Sequence, residues 1–113
     1  MDSPKKIMKN IDQAKILKLA DLVVYQEGQV VSKTLVQNPN VSITLFAFDG
    51  GEEISTHASH GDALVYVIDG KAQITIGDEK FHLQAGETIV MPAEVPHAVL
   101  APEPMKFMLT VVF

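Results

Sequence analysis

A chain of 113 residues that is 47% hydrophobic is long enough to bury the core of one domain and too apolar for disorder. It has no cysteine, which excludes disulfides, thiolate metal sites and a cysteine nucleophile. Its net charge of −5, spread over scattered acidic residues, argues against nucleic acid as the main partner, because phosphate binding needs a positive patch. No stretch approaches the ~20 apolar residues of a membrane span. Residues 1–6 are not followed by the apolar core of a signal peptide. A soluble, cytoplasmic protein is expected.

In chain order, the first element expected is a short helix over residues 13–20. Asp12 is its cap, Ile11 and Ile16 form a hydrophobic staple, and Ile16, Leu19, Ala20 and Val23 fall near helical spacing. Strand signals dominate afterwards. Residues 29–36 and 41–48 flank the turn Asn38-Pro39-Asn40 and read as a hairpin. Residues 64–68 form a continuous apolar run that ends at Asp69-Gly70. Residues 72–76 alternate strictly and end at Gly77-Asp78. Phe81 and Leu83 share one face of the next strand, with His82 on the other and so at the surface. Residues 88–91 end at Pro92, and residues 105–113 form a last apolar strand. Turns every 8–16 residues are the rhythm of an antiparallel sandwich or barrel. Residues 64–68 are apolar on both faces, so one face fills the barrel and the other must be covered by a further sheet or another subunit. A homodimer is expected.

Chemistry falls to the histidines. His57 lies in the extended segment 54–60, where His57 and Ser59 share a face. His60 points away unless the chain bends at Gly61. His97 follows a loop stiffened by Pro92 and Pro96, which holds an imidazole at low entropic cost. Neutral imidazole binds zinc, iron, nickel or copper, and a site needs three or four donors. His57 and His97 supply two; His60 and Asp62 are the nearest further candidates, with Glu52, Glu53 and Glu94 close in sequence. The competing reading is a pair of histidines hydrogen-bonded in a polar cavity. No Gly-x-Ser-x-Gly elbow or Gly-rich phosphate loop is present.

Gly51, His57 and Gly70, followed by Gly86, Pro92 and His97, stand at the spacing of the two motifs of the cupin family, and the chain resembles a small single-domain cupin. The resemblance covers roughly residues 41–112 and implies an all-β fold, a double-stranded β-helix or jelly-roll barrel with a cavity at one end, to which the residues add the short N-terminal helix. One domain overall is expected, with residues 1–40 an N-terminal helix and strand hairpin packed on the barrel and residues 41–113 the barrel itself. The resemblance also implies a metal centre of two histidines and a glutamate from the first motif and a histidine from the second. Here His57 and His97 occupy the first and last positions, but Ser59 and Ala63 stand at the other two. A one-residue bulge would turn His60 or Asp62 inward. The candidate metal ligands are therefore His57, His60 and His97, for a divalent transition metal (Zn, Fe, Ni or Mn). Three readings follow from this: a barrel that binds a small polar molecule at its mouth, a metal-dependent enzyme of dioxygenase or isomerase type, and a degenerate scaffold for a protein partner. Fold alone does not choose among them.

Overall fold

The computed structural model describes residues 7–113. Among these described residues nine strands form two antiparallel sheets. They are β1 (Val30–Gln37), β2 (Val41–Phe48), β3 (Glu53–His57), β4 (Asp62–Asp69), β5 (Lys71–Ile76), β6 (Glu79–Gln84), β7 (Thr88–Met91), β8 (His97–Leu100) and β9 (Met105–Val112). The larger sheet has the order β1-β2-β9-β4-β7, and the smaller has the order β3-β8-β5-β6. The sequence alternation explains which residues enter the space between them. Ala63, Val65 and Val67 of β4 are buried, while Leu64 and Tyr66 point outward. Opposite them in register stand Val111, Leu109 and Phe107 of β9. Ile74 and Leu83 close the core from the smaller sheet. Phe107 stacks on Phe46 at 5.0 Å between ring centroids and leans on Phe48 at 5.4 Å. Each large apolar side chain fully buried here contributes on the order of 1.5–3 kcal/mol.

The β1–β2 hairpin turns where its residues require it. The Asn38 side-chain oxygen accepts from the backbone N–H groups of Asn40 and Val41, an Asx turn. Gly70 makes the tight β4–β5 turn at φ +72°, where an added Cβ would lie 2.2 Å from the Pro104 carbonyl oxygen.

A second apolar cluster lies on the outer face of the larger sheet. Leu35, Val36, Leu45 and Ala47 are buried there beneath Ile11, Leu19, Leu22, Val23 and Tyr25 of the N-terminal segment. Half of the outward apolar face is thus covered by the chain itself. Tyr25 anchors this cover: its hydroxyl donates to Asp69, and the Lys106 ammonium sits 4.7 Å from its ring centroid. Burial first, and then the Asp69 contact, hold the Tyr25 hydroxyl protonated well above its ordinary range.

The expected helix over residues 13–20 does not form. Among the described residues helical structure is limited to a single 3-10 turn, Leu19–Asp21, without a side-chain cap. Eight residues are too few to hold a helix without tertiary support. The side chains that reach the sheet are Ile11, Leu19, Leu22 and Val23, whereas Ile16, at the centre of the expected apolar stripe, is fully exposed. Asn10 and Ala14 adopt left-handed φ of 61° and 55°, which no right-handed helix allows. No helix among the described residues is long and apolar enough to cross a membrane.

Candidate functional site

The site lies where β3 and β8 pair at one end of the space between the sheets. Ile54 stands opposite Val99, and His57 stands opposite His97. Between these pairs Ser55 and Thr56 of β3 lie opposite the single residue Ala98 of β8, so β3 carries a bulge. In a regular strand Ile54 and His57 would face opposite ways. The extra residue reverses the alternation and turns both side chains to the same face. His97 gains its place from the stiff loop between Pro92 and Pro96. The Val95 N–H donates to the Pro92 carbonyl, and Glu94 adopts a left-handed φ of 67°.

The two imidazoles meet edge to face, with ring centroids 4.4 Å apart and Nε2 atoms 3.2 Å apart. His57 Nδ1 lies 3.0 Å from the Ser55 carbonyl oxygen, and His97 Nδ1 lies 3.2 Å from that of Val95. A carbonyl oxygen only accepts, so the Nδ1–H tautomer is the one that satisfies the carbonyl behind each ring. Both Nε2 atoms then present lone pairs to the same point. Two acceptors in contact repel. What fits between them is a proton-donating or positive group. His97 is 3% exposed, and its pKa is lowered by burial and then by the neighbouring His57, with the Val95 carbonyl acting the other way.

Behind the pair is a cavity of about 150 Å³. Its walls are Phe46, Ile54, Met91, Val99, Phe107, Leu109 and Val111, with His57, Ser59, Ala63 and His97 completing the lining. The polar groups are confined to one side of an otherwise apolar chamber.

The structure brings together His57 and His97 of the three expected ligands, and His60 stands apart. Its ring is exposed and its Nδ1 pairs with Glu94 Oε1 at 2.9 Å. The bulge that reorients β3 lies before His57, so it does not turn His60 inward. Asp62 is committed elsewhere, accepting from the Ala93 N–H at 2.8 Å. With the bond from the Glu94 N–H to the Ser59 carbonyl at 2.8 Å, these contacts fasten the loop before β8 to the loop after β3. His82 is exposed on β6, as expected. Among the described residues no group of three or more His, Asp or Glu side chains converges as a metal cluster. Sequence reasoning missed the apolar lining. The signal was present in the alternation of residues 105–111, whose inward members Phe107, Leu109 and Val111 reach the cavity.

Residues 44–113 match the family model described as a cupin domain. The chain belongs to the cupin family. It is similar to a conserved protein of unknown function from Streptococcus pyogenes, with a TM-score of 0.95 and 43% identity over 97% of this chain and 96% of that one. A cupin superfamily protein from Desulfitobacterium hafniense superposes with a TM-score of 0.90 at 34% identity, over 94% of this chain and 97% of that one. An uncharacterized protein of Streptomyces coelicolor is 34% identical over 58 residues, 51% of this chain and 55% of that protein, so this chain spans about half the length of that curated relative.

Proposed function

We propose that the barrel binds a small molecule at its mouth, with His57 and His97 gripping a polar head and the apolar chamber holding a compact hydrocarbon body. The observation that carries this reading is the convergence of two Nε2 lone pairs, 3.2 Å apart, on the mouth of a cavity with almost wholly apolar walls. Small-molecule sites combine an apolar lining with a few placed polar groups in this way. A sugar with hydroxyls on every side would leave most of them without partners inside the chamber. A small acid or alcohol with a polar group at one end suits it better. Thermal-shift screening against short-chain and aromatic acids and alcohols tests this reading. Stabilisation of the wild type that is lost in His97→Ala supports it, and no shift from any such compound counts against it.

The same geometry favours a second reading, in which the two imidazoles share a divalent metal. Two nitrogens bound at about 2.0–2.1 Å to one tetrahedral ion lie about 3.3 Å apart, close to the spacing of this pair. Ser59 and Ala63 bring no further imidazole or carboxylate, so the bound molecule and water would have to complete the shell. A metal held there would supply Lewis-acid polarisation of the bound head group, which is the route to the enzymatic alternative of dioxygenase or isomerase type. The Nδ1 bonds to Ser55 and Val95 would fix both rings for this role.

A further inference from the structure

The polar side chains that line the chamber are those of His57, Ser59 and His97, and each of their protons is already engaged. In the Nδ1–H tautomer His57 donates to the Ser55 carbonyl at 3.0 Å and His97 to the Val95 carbonyl at 3.2 Å. The Ser59 hydroxyl donates to the Gly61 carbonyl at 2.7 Å. No lysine lines the chamber, and the chain has no arginine. The lining side chains therefore present acceptors and no free donor.

The acceptors lack partners of their own. Among the described residues the polar neighbour of His97 Nε2 is His57 Nε2, at 3.2 Å, and two lone pairs do not bond each other. His97 is buried, and a buried acceptor without a donor is costly. What answers this wall must bring protons to it.

Spacing narrows the donor further. Two converging lone pairs 3.2 Å apart call for two donors set slightly closer together. Hydroxyls on adjacent carbons, staggered and gauche, hold their oxygens about 2.8 Å apart, so each O–H reaches one nitrogen. The N–H bonds of a single ammonium diverge and reach acceptors spread more widely. A carboxylate brings acceptors to a wall of acceptors. Behind the head, an apolar cavity of about 150 Å³ has room for a six-carbon ring.

We propose that the metal-free barrel selects a small vicinal diol on a bare hydrocarbon body, with one hydroxyl donating to His57 Nε2 and the other to His97 Nε2. This rests on the small-molecule reading above and narrows its acids and alcohols to one class. The body lies between Phe46, Met91 and Phe107, and the hydroxyl lone pairs turn to the side where His57 is exposed to water.

Calorimetric titration and thermal shift of the full chain at about pH 8, with EDTA present and the imidazoles neutral, test the proposal. The probes share one cyclohexane body and differ in the head: adjacent hydroxyls, opposite hydroxyls, one hydroxyl, one ammonium or one carboxylate. The adjacent diol is expected to bind about tenfold or more tightly than cyclohexanol, the effect of a second hydrogen bond. The opposite diol should bind no better than cyclohexanol, because its second hydroxyl would enter the apolar end. The carboxylate should not bind. His57→Arg replaces an acceptor with donors at an exposed position, and is expected to erase the advantage of the adjacent diol and to admit the carboxylate. An unaltered circular dichroism spectrum checks its fold. Cyclohexanol, cyclohexylammonium or the carboxylate binding the wild type as tightly as the adjacent diol overturns the proposal and leaves the chamber as a small-molecule site. A diol preference that survives His57→Arg does the same. No binding by any probe, or diol affinity unchanged in Ala63→Leu, where the chamber is filled, overturns both.

Discussion

His57 Nε2 and His97 Nε2 lie 3.2 Å apart across 40 residues of chain, each ring held from behind by a backbone carbonyl. The bulge in β3 and the proline-stiffened loop before β8 together produce this contact. Neither strand alone would aim an imidazole at the other. His97→Ala is therefore expected to abolish ligand or zinc binding. It should also cost about 1–2 kcal/mol of stability, because it empties a buried position beside the cavity. His57→Ala should remove binding with a smaller loss, since His57 is exposed. Urea unfolding and calorimetric titration of both variants check this.

Stability should depend on pH through His97. Burial and then His57 lower its pKa in the folded protein, whereas the unfolded chain titrates near 6.5. Between those two values the unfolded chain binds the proton and the folded protein does not. Stability is therefore fully present above about pH 6.5 and is lost as pH falls toward the folded value. The urea midpoint should fall between pH 7.5 and 5, and fall less steeply in His97→Gln.

Filling the chamber should block the ligand and leave the histidines in place. Ala63 lines the cavity and is buried against Val111 and Met91 in register. Ala63→Leu is expected to reduce small-molecule binding by tenfold or more, about 1.4 kcal/mol. The overpacking cost is about 1–3 kcal/mol. Zinc affinity should change little, because both imidazoles remain. Loss of zinc binding together with ligand binding would indicate that the metal and the chamber act as one site.

The rim pair should behave differently from the site. His60 and Glu94 are largely exposed, and such pairs contribute little. His60→Ala is expected to leave zinc content and ligand shifts as in the wild type. A drop in either would place His60 in the site after all.

The fold was legible because its punctuation is steric. Gly70 has φ +72° and no room for a Cβ, and Pro92 ends β7. Such residues mark turns whatever surrounds them. The expected strands 29–36, 41–48, 64–68, 72–76, 88–91 and 105–113, and the one that holds Phe81 and Leu83, fall on β1, β2, β4, β5, β7, β9 and β6 within a few residues. The N-terminal helix failed because its apolar spacing was satisfied by a different path, with Leu19, Leu22 and Val23 on the sheet and Ile16 in water. β8 was missed because His97 reads as part of a proline loop until its pairing with β3 and β5 is known. His60 was an open candidate because alternation says where a side chain points only if the position of a bulge is known. That position is set by cross-strand pairing.

Histidine ring NMR on uniformly ¹⁵N-labelled protein, recorded at pH 7.5 before and after one equivalent of Zn²⁺, addresses the converging lone pairs most directly. The expected result is the Nδ1–H tautomer for both His57 and His97, with zinc shifting their Nε2 signals and leaving those of His60 and His82 in place. An Nε2–H tautomer at either ring, or Nε2 signals of His57 and His97 that ignore zinc and every ligand found by thermal shift, would contradict a binding site built on this pair.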